Sequence, residues 1–237
     1  MRRSSMNLKC LQKPASEWSE KHLRSLHVTR RDGTPLEDFD FARYMPEDGD
    51  HGMIAPSQCK DRLATELKVG TRDSGHHLAR NDGCVVLRGR DGIEAVPIIS
   101  FEAKKRDLGN RVHYPEHSQE PYRADIFGQE VALLYGQACA CSVDGTGDVV
   151  TGHTGWLITM HGTRLRLLQG DFSRAYLCGV RSKTLARTQL LVVKRSDEFN
   201  VKYPDRRVEA LKAVMGLLRF IKLGTYRNAY LERLGAR

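Results

Sequence analysis

The stretch Asn81–Lys105, NDGCVVLRGRDGIEAVPIISFEAKK, decides how the chain is read. "CVVLRG" and "IEAVPIISFEAKK" are apolar, β-branched runs separated by "GRDG", a hairpin turn signal, so two antiparallel strands are predicted. Side chains alternate along the second strand. Ile98, Ser100, Glu102 and Lys104 share one face; Ile99, Phe101, Ala103 and Lys105 share the other. Glu102 and Lys104 thus stand ~6.6 Å apart along the strand, where it leaves the core. A carboxylate there can hold a divalent cation, and the ammonium beside it can orient a water or steady a phosphate oxygen. The bland alternative is a surface ion pair contributing under ~1 kcal/mol.

A cation site for phosphodiester cleavage needs a further carboxylate. Asp91, in the turn, is eleven residues from Glu102, or ~36 Å along an extended strand, and cannot share the ion. Taking Arg90-Asp91 as a two-residue loop pairs Gly89 with Gly92. Asp82 then falls opposite Ile99, ~10 Å short of Glu102. Pro97 cannot donate to a ladder and invites a bulge that shifts the register. Asp82 stays open as the second acid, and equally as a plain turn residue before Gly83.

Outward from this hairpin, "SQCKDRLATELKVG" (57–70) is predicted as a helix capped by Ser57 and stopped by Gly70. "PYRADIFGQEVALLYGQACACS" (121–142) is a second helix, with Ile126, Phe127, Val131, Leu134, Tyr135 and Ala138 in one sector. "GWLITMHGTRLRLLQGDF" (155–172) makes two strands around a turn at His161-Gly162; "AYLCGVRS" (175–182) and "TQLLVVKRSDEF" (188–199) are further strands. A long amphipathic helix starts at Pro204-Asp205, with Val208, Leu211, Val214, Met215, Leu218 and Ile221 as its core stripe. A short helix is possible at Ser16–Leu26. The order of elements indicates a mixed α/β domain over residues 56–237 around one central sheet. Residues 1–55, rich in charge, are expected to form an arm packed partly on it.

The chain has 237 residues, 40% hydrophobic and 28% charged, as in a globular protein. No apolar run reaches the ~20 residues of a bilayer span, and no apolar segment follows the basic N-terminus as a secretory signal requires. An intracellular location, nuclear or cytoplasmic, is expected. The net charge of +9 favours polyanionic partners. The six cysteines are scattered, and Cys139-x-Cys141 without a second pair is a poor zinc site. Adjacent His76 and His77 do not converge on one metal, and Pro115 between His113 and His117 argues against a helix presenting both. Neither a Walker A loop, a dinucleotide fingerprint nor a hydrolytic triad motif is present.

"NDG…VPIISFEAKK" resembles the PD-(D/E)XK nuclease superfamily, and more closely the divergent nuclease-like domains abundant in fungal genomes. The family pattern is an aspartate opening one strand and (D/E)-x-K on the next. Asp82 matches the aspartate and Glu102-Ala103-Lys104 the E-x-K, while Asn81 stands where the family has proline. The resemblance covers roughly 57–179. It implies a restriction-endonuclease-like mixed central β-sheet flanked by α-helices and a metal-dependent nuclease acting on nucleic acid, DNA before RNA. Asp82, Glu102 and the Ala103 backbone carbonyl would hold Mg²⁺ (or Mn²⁺), and Lys104 would assist the attacking water. Glu66, on the preceding helix, would complete a second metal site or hold a metal-bound water; Gln137, on the following helix, would face the site, whereas Gln129 points to solvent. The alternative is a nuclease-fold module without turnover that binds nucleic acid or a protein.

Overall fold

The computed structural model describes residues 14–47, 66–69, 77–88, 95–104, 123–142 and 148–223. Helix α1 (Glu20–Ser25) and strand β1 (Val28–Thr34) come first, then a short hairpin, β2 (Glu66–Val69) and β3 (His77–Arg80). Next are β4 (Gly83–Arg88), β5 (Ala95–Lys104), α2 (Ala124–Ser142), β6 (His153–His161) and β7 (Arg164–Phe172). The chain continues through α3 (Arg174–Arg181), β8 (Leu191–Ser196), β9 (Phe199–Asn200) and α4 (Pro204–Leu223). Seven strands form one mixed sheet in the order β1-β8-β7-β6-β5-β4, with β9 also paired to β7. β1–β8 and β5–β6 are parallel; the other pairs are antiparallel. The expected mixed sheet flanked by helices is present.

The parallel β5–β6 pair needs a crossover, which α2 supplies. Its helix is buried almost all round, from Phe127 to Cys139, because it is wrapped on every side. It packs on Leu157, Leu168 and Val193 of the sheet, on Trp18 and Leu23 before it, and on the β2–β3 hairpin. The opposite face of the sheet, with Trp156, Ile158 and Leu167, is covered by α4 and by Phe39 and Phe41. Gly162, at φ +62° in the two-residue β6–β7 turn, occupies the first position of a type II′ hairpin, which favours glycine.

Four expectations change. The segment read as an arm enters the domain: β1 is an edge strand of the sheet, and Trp18, Leu26, Phe39 and Phe41 are core residues. Its core residues are few and separated by charged ones, with Arg30, Arg31 and Asp32 consecutive in β1, so no apolar period shows in the sequence. The helix expected over 57–70 is a strand where it is described, since Glu66–Val69 pair with His77–Arg80; the rest of that span lies outside the described residues. "AYLCGVRS" is helix α3, not a strand. Ser173 caps it by accepting from the Tyr176 N–H at 3.1 Å, and Tyr176, Leu177 and Val180 are buried at helical spacing. On α4 the buried face is Ala210, Ala213, Gly216, Leu217, Phe220 and Ile221. Gly216 admits Met45 close to the helix, and Phe220 meets Trp156 and Tyr44 edge-on. Of the expected stripe, Ile221 is buried and Val214 and Leu218 pack partly against the core, whereas Val208 and Leu211 are 51% and 56% exposed.

Among the described residues no helix is long and apolar enough to cross a membrane. The described cysteines carry free thiols, with Cys84, Cys139 and Cys141 buried and Cys178 exposed.

The seating of the N-terminal segment on α2 is directly testable. A Cβ on Gly128 would stand 2.7 Å from the Trp18 carbonyl oxygen, and backbone cannot swing aside as a side chain does. Gly128→Ala is expected to lower stability by ~1–3 kcal/mol, read as a lower urea midpoint at unchanged slope. Cys178→Ser, at an exposed position, should leave the midpoint where it is.

Candidate active site

The hairpin register builds the site. Arg88 faces Ala95, so the connection is longer than two residues. Asp91 and the turn lie outside the described residues. Between Val86↔Pro97 and Val85↔Ile99 the register slips by one, leaving Ile98 as the bulged residue directly after Pro97. The longer turn and the bulge together move the pairing by three positions. Gly83 then faces Phe101, the last pair of the ladder, and the Asp82 N–H bonds to the Phe101 carbonyl, which brings Asp82 to the neighbourhood of Glu102.

Glu102 is buried, at 6% exposure, and Lys104, with a 39% exposed side chain, pairs with its Oε1. Glu102 Oε2 is buried and has no hydrogen-bond partner among the described residues. Asp82, at the exposed mouth of β4, turns its carboxylate back onto the sheet: Oδ2 accepts from the Ala103 N–H at 2.6 Å, and the Asp82 N–H donates to the Phe101 carbonyl at 3.0 Å. A strand residue directs its N–H and C=O to the same neighbour, so the Ala103 carbonyl also faces the Asp82 edge. Asn81, buried, donates from Nδ2 to Ser100 Oγ at 3.2 Å and anchors the start of β4. Burial pushes the Glu102 carboxyl above its ordinary range. Lys104 opposes that shift, Asp82 adds to it, and His161 opposes it.

The same face of the sheet carries charge across two more strands. Glu102 faces Thr159 on β6, which faces Arg166 on β7; Lys104 faces His161, which faces Arg164. The Arg-Leu-Arg alternation of β7 puts both guanidinia on one face, where they grip Glu198 from the bulge between β8 and β9. Glu130 of α2, fully buried, pairs with Arg195 at 3.3 Å, and Arg195 also holds Asp32 at 2.9 Å. Burial raises the Glu130 carboxyl as well, against Arg195, His161 and Arg166. The Arg195 guanidinium lies 5.4 Å from the centre of the Phe127 ring.

Of the expected residues, Asp82, Glu102 and Lys104 come together, and Ala103 presents its backbone between them. Gln137 does not join them. Its Oε1 accepts from the Trp156 N–H at 2.8 Å in the core, three residues down β6 from the partner of Glu102. Glu66 stands on strand β2, opposite Arg80, and not on a helix. Gln129 is half-buried and donates to the Ser16 carbonyl, so it holds the N-terminal segment instead of facing solvent. His161, expected in a turn, ends strand β6 beside Lys104. Glu130, His161, Arg164, Arg166 and Arg195 were not anticipated. One signal existed for Glu130. It shares a helix face with Gln137, seven residues on, and a crossover helix runs back against its strand, so its first turns sit where β5 ends.

Asp82, Glu102 and the Ala103 carbonyl supply hard oxygen donors of the kind Mg²⁺ takes, with one or two carboxylates and several waters. Glu102 Oε2, desolvated and unpartnered among the described residues, fits such an ion. Among the described residues no group of three or more His, Cys, Asp or Glu side chains gathers around one point.

Comparison with protein-family models, curated proteins and solved structures finds no match for the chain.

The raised carboxyl of Glu102 has a consequence for stability. The folded state holds that proton more tightly than the unfolded chain, whose value is near 4.5. Stability is therefore lost as pH rises from that value through the folded one. Glu102→Gln is expected to raise the melting temperature at neutral pH, with the gain shrinking toward pH 4; a gain that grows on acidification would contradict the burial assigned to this carboxylate.

Proposed function

We propose that the chain is a metal-dependent nuclease of restriction-endonuclease-like architecture, hydrolysing phosphodiester bonds in nucleic acid, DNA before RNA. The single observation behind this reading is the Asp82 carboxylate, held by the Ala103 N–H close enough to Glu102 to act on its charge, beside a buried Glu102 oxygen left unpartnered among the described residues. The architecture is supported by an antiparallel hairpin whose second strand passes through a crossover helix into a parallel neighbour. The net charge of +9 suits a polyanionic substrate.

In this reading Asp82, Glu102 and the Ala103 carbonyl hold Mg²⁺ or Mn²⁺, which when bound lowers the pKa of water and neutralises charge on the phosphoryl oxygens. Asp82 is fixed by the Ala103 N–H, so its carboxylate is held without a search among rotamers. Lys104 balances the Glu102 charge, and its ammonium is positioned to orient the attacking water or to donate to a phosphoryl oxygen. Water adds at phosphorus as the bond to the leaving oxygen breaks, and that oxygen takes up a proton.

The second reading is a nuclease-fold module that binds nucleic acid or a protein without turnover. It is favoured by the Lys104–Glu102 ion pair, which already satisfies one carboxylate oxygen, and by the lack of a third acid among the described residues.

Incubation of the purified chain with plasmid DNA and with RNA, in Mg²⁺, Mn²⁺ or chelator, separates the two. Metal-dependent cleavage that falls by ~10²-fold or more in Asp82→Asn, Glu102→Gln and Lys104→Ala is the expected result. Gln137→Leu should lose ~1–3 kcal/mol of stability, because it leaves the Trp156 N–H unpaired, yet cleave normally per folded molecule. Cleavage unaltered in the Glu102 and Lys104 variants would remove the site; binding with the usual salt slope and no cleavage would support the inactive module.

A further inference from the structure

Asp40, Gln169 and Asp171 meet at the rim of the core beneath α4, on the sheet face opposite Glu102. Strand β7 brings two of them. Gln169 faces Trp156 on β6 and Lys194 on β8, and Asp171, two residues on, projects from the same side. Asp40 comes from the segment between the core residues Phe39 and Phe41. Gln169 is 1% exposed, whereas both aspartates are open to solvent. Gln169 Nε2 lies 2.9 Å from Asp40 Oδ2, and 3.1 and 3.3 Å from the two carboxylate oxygens of Asp171.

This arrangement leaves two mismatches. A neutral amide with two N–H bonds faces three oxygens that carry two full charges. Lys194 offsets part of that charge while its ammonium donates to the Asp38 carbonyl at 3.1 Å. Burial, and then the Asp171 charge, hold the Asp40 carboxyl above its ordinary range, against Lys194 and Gln169. On the other side of the amide, Gln169 Oε1 is buried and has no hydrogen-bond partner among the described residues. A buried acceptor in that state calls for an explanation.

A cation between the aspartates, with the amide turned by half a rotation, removes both. The turn exchanges oxygen for nitrogen in nearly the same space, and on the Oε1 side it breaks no hydrogen bond. The Gln169 oxygen then stands ~3 Å from oxygens of both aspartates, the separation of adjacent ligands around a Ca²⁺ ion with bonds of about 2.4 Å. Asp171 presents its two oxygens almost equally. That edge-on approach suits the flexible shell of Ca²⁺ and not the strict octahedron of Mg²⁺. Water completes the shell from the exposed side. We propose that Asp40, Asp171 and the Gln169 side-chain oxygen bind Ca²⁺, which clasps the segment around Phe39 and Phe41 to β7. The site uses two acids and one amide, and it is independent of the reading of Glu102 and Lys104.

The test is a CaCl₂ titration of the full chain, stripped of metal by chelator, followed by calorimetry and by melting temperature. Ca²⁺ should bind saturably and raise the melting temperature, with MgCl₂ weaker by ~10-fold or more. Asp40→Asn and Asp171→Asn, both at exposed positions, should each weaken Ca²⁺ by ~10-fold or more with the circular dichroism of the parent. Asp82→Asn/Glu102→Gln should keep this binding. Gln169→Glu supplies an oxygen and a third charge. Its melting temperature should fall below the parent's in chelator and gain more than the parent's on adding Ca²⁺. A Gln169 that serves only as donor to the aspartates gives the fall without the larger gain. The proposal is overturned by the absence of saturable Ca²⁺ binding, by equal binding of Mg²⁺, or by binding unchanged in Asp40→Asn and Asp171→Asn. Binding abolished in Asp82→Asn/Glu102→Gln would overturn it too, since the ion would then belong to the other face of the sheet.

Discussion

The pairing of β4 with β5 is the constraint on which the site depends. One bulged residue, Ile98, and a turn longer than two residues set Gly83 against Phe101 and bring Asp82 close to Glu102. A register one step away would send Asp82 to the other face, because side chains alternate with period two. The bulge follows Pro97, whose missing N–H makes a break in the ladder inexpensive at that point. Cys141 of α2 donates its thiol to the Pro97 carbonyl and Asn81 bonds to Ser100, so the two ends of the slipped segment are tied to the core and to the neighbouring strand.

Around that register the rest of the domain acts as support. The crossover through α2 brings β6 parallel to β5, and with it Thr159 and His161 beside Glu102 and Lys104. β7 and β8 then extend the charged row to Arg166, Arg164 and Arg195, each answered by an acid: Glu198, Glu130 or Asp32. Buried charges of this kind are retained only when paired, since desolvation penalises a lone ion heavily. β1, which contains Asp32, thereby has an electrostatic link to α2 through Arg195 in addition to its backbone pairing with β8. The N-terminal segment is built into the same network that borders the candidate site.

The two faces of the sheet have different chemistry. The α2 face becomes polar toward the C-terminal ends of β5 and β6, while the α4 face is filled by aromatic and aliphatic side chains.

The hairpin, the strand alternation that joins Glu102 to Lys104, the helix after it and the long C-terminal helix were legible in the sequence, because each has a local period or turn signal. The sequence also flagged Pro97 as a point where the register could slip. Local periodicity was insufficient for "AYLCGVRS", too short to separate strand from helix until Ser173 capped it and Leu177 and Val180 packed inward. On α4 it found Val214, Leu218 and Ile221, which pack inward, but added Val208 and Leu211, which are exposed, and passed over Ala210, Ala213 and Gly216, whose small side chains carry little apolar signal. Tertiary structure alone decided that Asp82 reaches Glu102, that Gln137 serves the Trp156 backbone, and that Glu130, His161 and three arginines share the face. Those outcomes depend on register and on the direction in which a helix crosses its sheet, and both are properties of pairing between segments distant in the chain.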